Sequence, residues 1–275
     1  MMEDVGVFPA IRAVFRIAGF VTVAVFMGLL QSLWIYLKLP HWNFLPKYYH
    51  RFTAWILGLQ IKTVGTICRE KPVLYVSNHV SYLDITILGC LLDGSFVSKA
   101  EVGQWPLYGW LSSLQKTVYI DRRPEHAGAH RDDMAGRLRQ GDNLILFPEG
   151  TSSDGNRTLP FKTALFSVAN TRVNDRPVIV QPISLLCRSA NDIPLGRNGR
   201  ALYAWYGDMT LLPHLWRLAC CRNVQIEVIF HEPVDVEKSK SRKKLADDCW
   251  KSVAYGLSEA ISGRGNDGVA SRIAA

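Results

Sequence analysis

Pro72-Val73-Leu74-Tyr75-Val76-Ser77-Asn78-His79-Val80-Ser81-Tyr82-Leu83-Asp84 carries three successive signals in thirteen residues. The apolar, β-branched first half predicts a buried strand, and Ser-Asn-His predicts a turn. After Ser81 the apolar spacing becomes helical through Leu83, Ile85, Ile87 and Leu88. His79 then stands where strand gives way to turn. Asp84 falls in the first turn of the helix, where free backbone N–H groups favour a carboxylate. Two readings are open: an Asn-His turn followed by a helix-start Asp, or a chain that folds back so that the carboxylate orients the imidazole as a base. The spacing alone does not choose between them.

Working outward, β-branched runs alternate with helical patterns from residue 61 onward. Strands are expected near 72–77, 95–98, 117–120, 143–147, 178–186, 200–206 and 223–230, and helices near 82–92, 125–139, 162–173, 207–219 and 241–261. This alternation predicts an α/β fold with a largely parallel sheet flanked by helices. Chemistry in such sheets gathers at the carboxyl ends of the strands. Three further strand ends are informative. Thr117-Val118-Tyr119-Ile120 runs into Asp121-Arg122, and Leu144-Ile145-Leu146-Phe147 runs into Pro148-Glu149-Gly150-Thr151-Ser152, with Arg157 beyond. Val178-Ile179-Val180-Gln181 runs into Pro182. Gly150 permits close approach of the backbone, while Thr151 and Ser152 offer hydroxyl and N–H groups of the kind that hold a phosphate or an oxyanion. Arg122 is suited to clamp an anionic group.

Upstream, residues 17–37 contain no charged side chain, a length that as a helix matches the hydrocarbon of a bilayer. Arg12 and Arg16 precede it, Trp34 and Tyr36 sit at its far end, and Lys38, His41, Lys47, His50 and Arg51 follow. Basic residues flank both ends, so the positive-inside rule assigns no orientation. Pro40 and Pro46 interrupt the chain before a second amphipathic helix over 48–61, and a helix pair dipping into one leaflet fits as well as a single span. The five basic residues Arg12, Arg16, Lys38, Lys47 and Arg51 are expected to meet a cytoplasmic leaflet. Over all 275 residues the net charge is +8 and hydrophobic residues make up 48%, a balance suited to an anionic surface. The six cysteines show no metal-type spacing and read as reduced core thiols. His79 and Asp84 lack a third partner for zinc.

Taken together, Asn78-His79-Val80-Ser81-Tyr82-Leu83-Asp84, then Tyr119-Ile120-Asp121-Arg122, then Phe147-Pro148-Glu149-Gly150-Thr151-Ser152, then Val180-Gln181-Pro182, resemble the glycerolipid acyltransferase family. The resemblance covers about residues 60–235, including Phe96-Val97-Ser98-Lys99-Ala100 and Pro160-Phe161-Lys162, and is strongest to bacterial 1-acyl-glycerol-3-phosphate acyltransferases. It implies that His79 acts as general base and Asp84 orients it. It further implies acyl transfer from an acyl-CoA or acyl carrier protein to the 2-hydroxyl of a lysophospholipid acceptor, giving phosphatidic acid. Lys99 and Arg122 would meet the acceptor phosphate, and Glu149, Gly150, Thr151 and Ser152 would shape its site. The transfer needs no cofactor and no metal.

One position departs from the family pattern. Where many members carry Arg in Phe-Pro-Glu-Gly-Thr-Arg-Ser, this chain has Ser152. Arg157 or Lys162 can supply the charge; alternatively the acceptor is lyso-ornithine lipid, acylated by a related branch. The resulting expectation is a membrane-anchoring pair of helices over 1–61, a catalytic domain over 62–262 and a flexible tail over 263–275, at the cytoplasmic face of the inner membrane. A non-catalytic lipid-binding protein is a distant alternative. Nucleic acid is not an expected partner, because the basic run 238–244 lacks interleaved aromatics.

Overall fold

The computed structural model describes residues 6–70, 72–105, 107–121, 127–263 and 271–272. Arg122 and most of the expected tail lie outside them. Two helices open the chain, α1 (Val7–Tyr36) and α2 (Phe44–Leu57). At Gly58 the backbone turns left-handed (φ 72°), and a Cβ there would strike the Arg16 guanidinium and the Arg222 carbonyl. The chain then reverses into β1 (Leu59–Val64), so the helix expected over 48–61 stops earlier. Buried Leu59, Ile61 and Thr63 alternate with Gln60 and Lys62, a period of two that the preceding helical pattern masks.

The remaining elements are β2 (Val73–Ser77), α3 (Leu83–Leu91), β3 (Ser95–Lys99), α4 (Tyr108–Leu114), β4 (Val118–Ile120), α5 (Ala127–Arg139) and β5 (Leu144–Leu146). A small hairpin of β6 (Arg172–Val173) and β7 (Arg176–Pro177) precedes β8 (Ile179–Ala190) and β9 (Ile193–Pro194). Then come α6 (Leu211–Cys220), β10 (Val224–Phe230), α7 (Arg242–Ser262) and β11 (Ser271–Arg272). The main sheet runs β11-β1-β10-β8-β2-β5-β3-β4, with β9 on β8. Strands β8, β2, β5, β3 and β4 are parallel, while β10 runs against β8 and β1 runs with β10. The sheet is therefore largely parallel, and the carboxyl ends of β2, β5, β3 and β4 share one edge.

Both faces are covered, which explains why β2 is buried at all five positions. One core joins Leu57, Leu83, Ile87, Leu88 and Leu218, from α2, α3 and α6, to the sheet. The other joins α7, through Leu245, Cys249 and Val253, to Leu74, Leu146 and Phe166. All six cysteines are free.

Two expected elements take other forms. Residues 200–206 are not a strand, because β8 is already flanked by β2 and β10. The chain there makes a 3-10 turn (Gly199–Leu202), and Tyr203 and Ala204 N–H groups bond back to the Arg200 carbonyl at 3.1 and 3.0 Å. The helix expected over 162–173 is a 3-10 segment, Thr163–Asn170. Arg12 and Arg16, expected at a leaflet, have partners within the fold. Arg12 Nη1 donates to the Cys220 carbonyl (3.2 Å), and Arg16 donates to those of Cys221 (2.5 Å) and Arg222 (2.9 Å). These guanidiniums cap the carboxyl end of α6, whose last carbonyls have no helical partner. Lys47 likewise pairs with Asp93 at 3.0 Å.

Candidate active site

Beyond β2 the side chain of Asn78 takes over from the backbone. Its Nδ2 donates to the Leu185 carbonyl (3.0 Å) and its Oδ1 accepts from the Leu185 N–H (2.8 Å), so the ladder to β8 continues while the main chain turns away. The Ser153 N–H bonds the His79 carbonyl at 2.8 Å, and the Trp205 N–H bonds that of Val80 at 2.9 Å. Three separate segments thus hold the His79 turn.

That turn brings Asp84 back to His79. The carboxylate is fully buried. Its Oδ2 accepts from His79 Nδ1 (2.8 Å) and from the N–H groups of Val80 (2.6 Å) and Ser81 (3.0 Å). Its Oδ1 accepts from the Tyr203 hydroxyl at 2.7 Å. Four donors compensate the loss of water around the carboxylate. Since a carboxylate only accepts, Nδ1 carries the ring proton and Nε2 keeps its lone pair. The imidazole is 22% exposed and stacks on Phe147 at 4.3 Å between centroids, while Phe147 stacks on Phe96 at 6.2 Å. Burial and the Asp84 charge push the Tyr203 phenol well above its usual range.

Glu149 follows β5 and is buried, accepting the Leu159 N–H at 3.2 Å through Oε1. Burial raises its pKa to about 8, against the opposing pull of the Leu159 and His79 N–H groups. Near neutrality the carboxyl therefore holds a proton and can donate. Gly150 is left-handed (φ 67°), and a Cβ there would run into the Lys162 side chain, which crosses the turn. Ser152 is committed elsewhere: its hydroxyl donates to the Trp205 carbonyl at 2.5 Å. Thr151 and Arg157 are exposed; against burial, hydrogen bonds from Asn156 and then the Arg157 charge hold the Asp154 carboxyl below its usual range. Lys99 ends β3 opposite Ile120, at the same sheet edge as His79 and Glu149. The sheet thus gathers His79, Asp84, Glu149, Gly150, Ser152 and Lys162 around one turn, with Arg157 at its rim and Lys99 two strands away.

Tyr203, Phe147 and Trp205 were not legible as site residues. A third component was also hidden, a cavity between α1, α2, α3 and α4 lined mainly by apolar residues such as Phe20, Met27, Leu57, Leu83, Phe96 and Leu111. Its volume is about 100 Å³. The Phe96–Phe147 stack connects its wall to the imidazole.

A family model described as Acyltransferase matches residues 59–186. A lyso-ornithine lipid O-acyltransferase from Brucella abortus (strain 2308) is 39% identical over 248 residues, 88% of this chain and 93% of that protein. A 1-acyl-sn-glycerol-3-phosphate acyltransferase from Neisseria gonorrhoeae is 33% identical over 72% of this chain and 73% of its own length. In fold, the chain is similar to the crystal structure of PlsC, the 1-acyl-sn-glycerophosphate (LPA) acyltransferase from Thermotoga maritima. The TM-score is 0.62 at 21% identity, covering 90% of this chain and 97% of that one.

Proposed function

The chain belongs to the acyltransferase family, and on that premise we propose that it transfers a fatty acyl group from a thioester to the 3-hydroxyl of lyso-ornithine lipid. The observation that carries the choice of acceptor is Ser152. Where an Arg would meet a phosphate, this chain has a hydroxyl bonded to the Trp205 carbonyl. The acceptor position is thereby adapted to a zwitterionic head group rather than to a phosphate. The likeness to the Brucella relative, by identity and by coverage, points the same way.

The residues support a direct transfer. His79 Nε2 removes the proton as the acceptor oxygen attacks the thioester carbonyl, and Asp84 holds the ring and stabilises the imidazolium. The tetrahedral intermediate collapses with cleavage of the C–S bond. The departing thiolate takes the proton from the imidazolium, which regenerates the base. Protonated Glu149 donates to the acceptor, while Lys162, Lys99, Arg122 and Arg157 supply cations for its carboxylate and for the anionic carrier. Gly150 and Thr151 line the turn. The acyl chain enters the cavity beside Phe96, which brings the thioester carbonyl to the imidazole. The exposed apolar faces of α1 and α2 seat this sheet edge on the cytoplasmic leaflet of the inner membrane.

Acylation of 1-acyl-glycerol-3-phosphate is the second reading, favoured by the Lys162 ammonium over Gly150. A labelled acyl thioester offered with each acceptor separates the two. Conversion of lyso-ornithine lipid is expected, and conversion of lysophosphatidic acid alone would overturn the assignment. His79→Ala should reduce turnover about 10²–10⁴-fold; unchanged turnover would remove His79 from the mechanism.

A further inference from the structure

Among the described residues lining the cavity three polar atoms have no partner, Gln31 Oε1, His50 Nδ1 and the Thr53 hydroxyl, and of these Gln31 and His50 offer only an acceptor. Both side chains are 3% exposed, so neither reaches bulk water. Their orientations are fixed. Gln31 Nε2 donates to the carbonyls of Trp42 (2.8 Å) and Leu114 (3.3 Å), and turning the amide over would set its oxygen against both. His50 Nε2 bonds Gln115 Oε1 at 2.9 Å, and the ring fills the space that a Cβ on Gly89 would need. Leu114 and Gln115 are consecutive, so both side chains are anchored to the same short stretch at the end of α4. Burial depresses the His50 pKa to about 4, so the ring is neutral.

From this juxtaposition we infer that the cavity selects acyl chains bearing a hydroxyl partway along their length. The inference rests on the cavity holding the transferred chain. An unbranched alkyl chain passing Gln31 and His50 leaves two buried polar atoms unpaired, which is unfavourable. A hydroxyl at that depth donates to the amide oxygen or to the imidazole nitrogen. Walls of Phe20, Met27, Leu57 and Leu111 hold the rest of the chain on either side. Selectivity should therefore depend on the position of the hydroxyl relative to these two acceptors.

The test is a series of saturated acyl thioesters of equal length, unsubstituted or with one hydroxyl moved carbon by carbon, competed on the full-length protein in vesicles. One position is expected to be used about tenfold better than the unsubstituted chain. Gln31→Leu and His50→Phe should each bring that ratio to one or below, with thermal melting to show that the variants fold. If they do not fold, the wild-type series decides alone. Preference for the unsubstituted chain over every isomer would overturn the inference, and would mean that a bound water satisfies both atoms. A preference that survives both substitutions would overturn it as well. If no thioester is consumed with either acceptor, the acyltransfer reading fails, and this inference with it.

Discussion

Tyr203 donates to a carboxylate that no water reaches, so its hydroxyl has a measurable role. Tyr203→Phe leaves Asp84 Oδ1 buried without its donor and should cost about 1.5–3 kcal/mol of stability in urea unfolding. Because Asp84 holds the His79 ring, kcat should fall while KM changes little; an unchanged kcat would make the phenol purely structural. Glu149 allows a pH prediction. Its folded pKa of about 8 lies above the ordinary 4.5, so the folded protein keeps a proton that the unfolded chain has lost across that window. Stability from this group is complete below about pH 4.5, declines as pH rises toward 8 by about 1.4 kcal/mol per unit at most, and is flat above. Glu149→Gln cannot titrate. Its unfolding free energy relative to wild type should therefore rise steadily from about pH 5 to 8, and a constant difference would refute the perturbed carboxyl. His79 and Asp84 were legible because strand, turn and helix signals meet within thirteen residues. Tyr203 was not, since a Tyr-Ala-Trp-Tyr run has the composition of a strand and its partner lies 119 residues away.

Local periodicity located most elements of the sheet: β2, β3, β4, β5, β8 and β10 lie within a few residues of where the pattern puts them. It failed where tertiary demand decides, at β1, at the 3-10 turn before Tyr203, and at the docking of α1. The uncharged run 17–37 is apolar all round, so its composition reports length but not which side packs. The packed side mixes small residues, Ala13, Ala24 and Gly28, with Met27 and Gln31, and a Cβ on Gly28 would overlap the Trp110 ring. Arg16 tethers this helix to the carboxyl end of α6 and the residues after it, through the carbonyls of Ala219, Cys221 and Arg222. Arg16→Ala should remove charge-assisted bonds of about 1.5–3 kcal/mol and expose the 12–16 region to protease. Vesicle binding should be almost unaffected, because this guanidinium faces α6 rather than solvent. A variant that folds normally yet detaches from anionic vesicles would restore the leaflet role first expected for it.

Seen whole, the molecule has one strongly apolar side. Phe15, Phe26 and Leu29 on α1, Phe52 and Trp55 on α2 and Leu212 on α6 are all exposed, more apolar surface than a soluble monomer usually shows. By length and hydropathy α1 qualifies to cross a bilayer. Yet it packs along α2, α4 and α6 instead of projecting from the domain. A helix held against the catalytic unit in this way cannot span a membrane unless the unit sinks with it. We propose that α1 and α2 lie in one leaflet, with the mouth of the cavity and the edge bearing His79 at the lipid surface. Phe26→Asp combined with Trp55→Asp tests this arrangement. Each aromatic contributes about 1.5 kcal/mol or more on burial in lipid, so the pair should weaken partitioning into vesicles roughly a hundredfold. Raised salt should do much less to the wild type, although its net charge is +8, since screening reaches only the electrostatic part of the attraction. If salt alone releases the wild type and the double substitution does not, the attachment is electrostatic, and the apolar side must meet another protein surface instead of lipid.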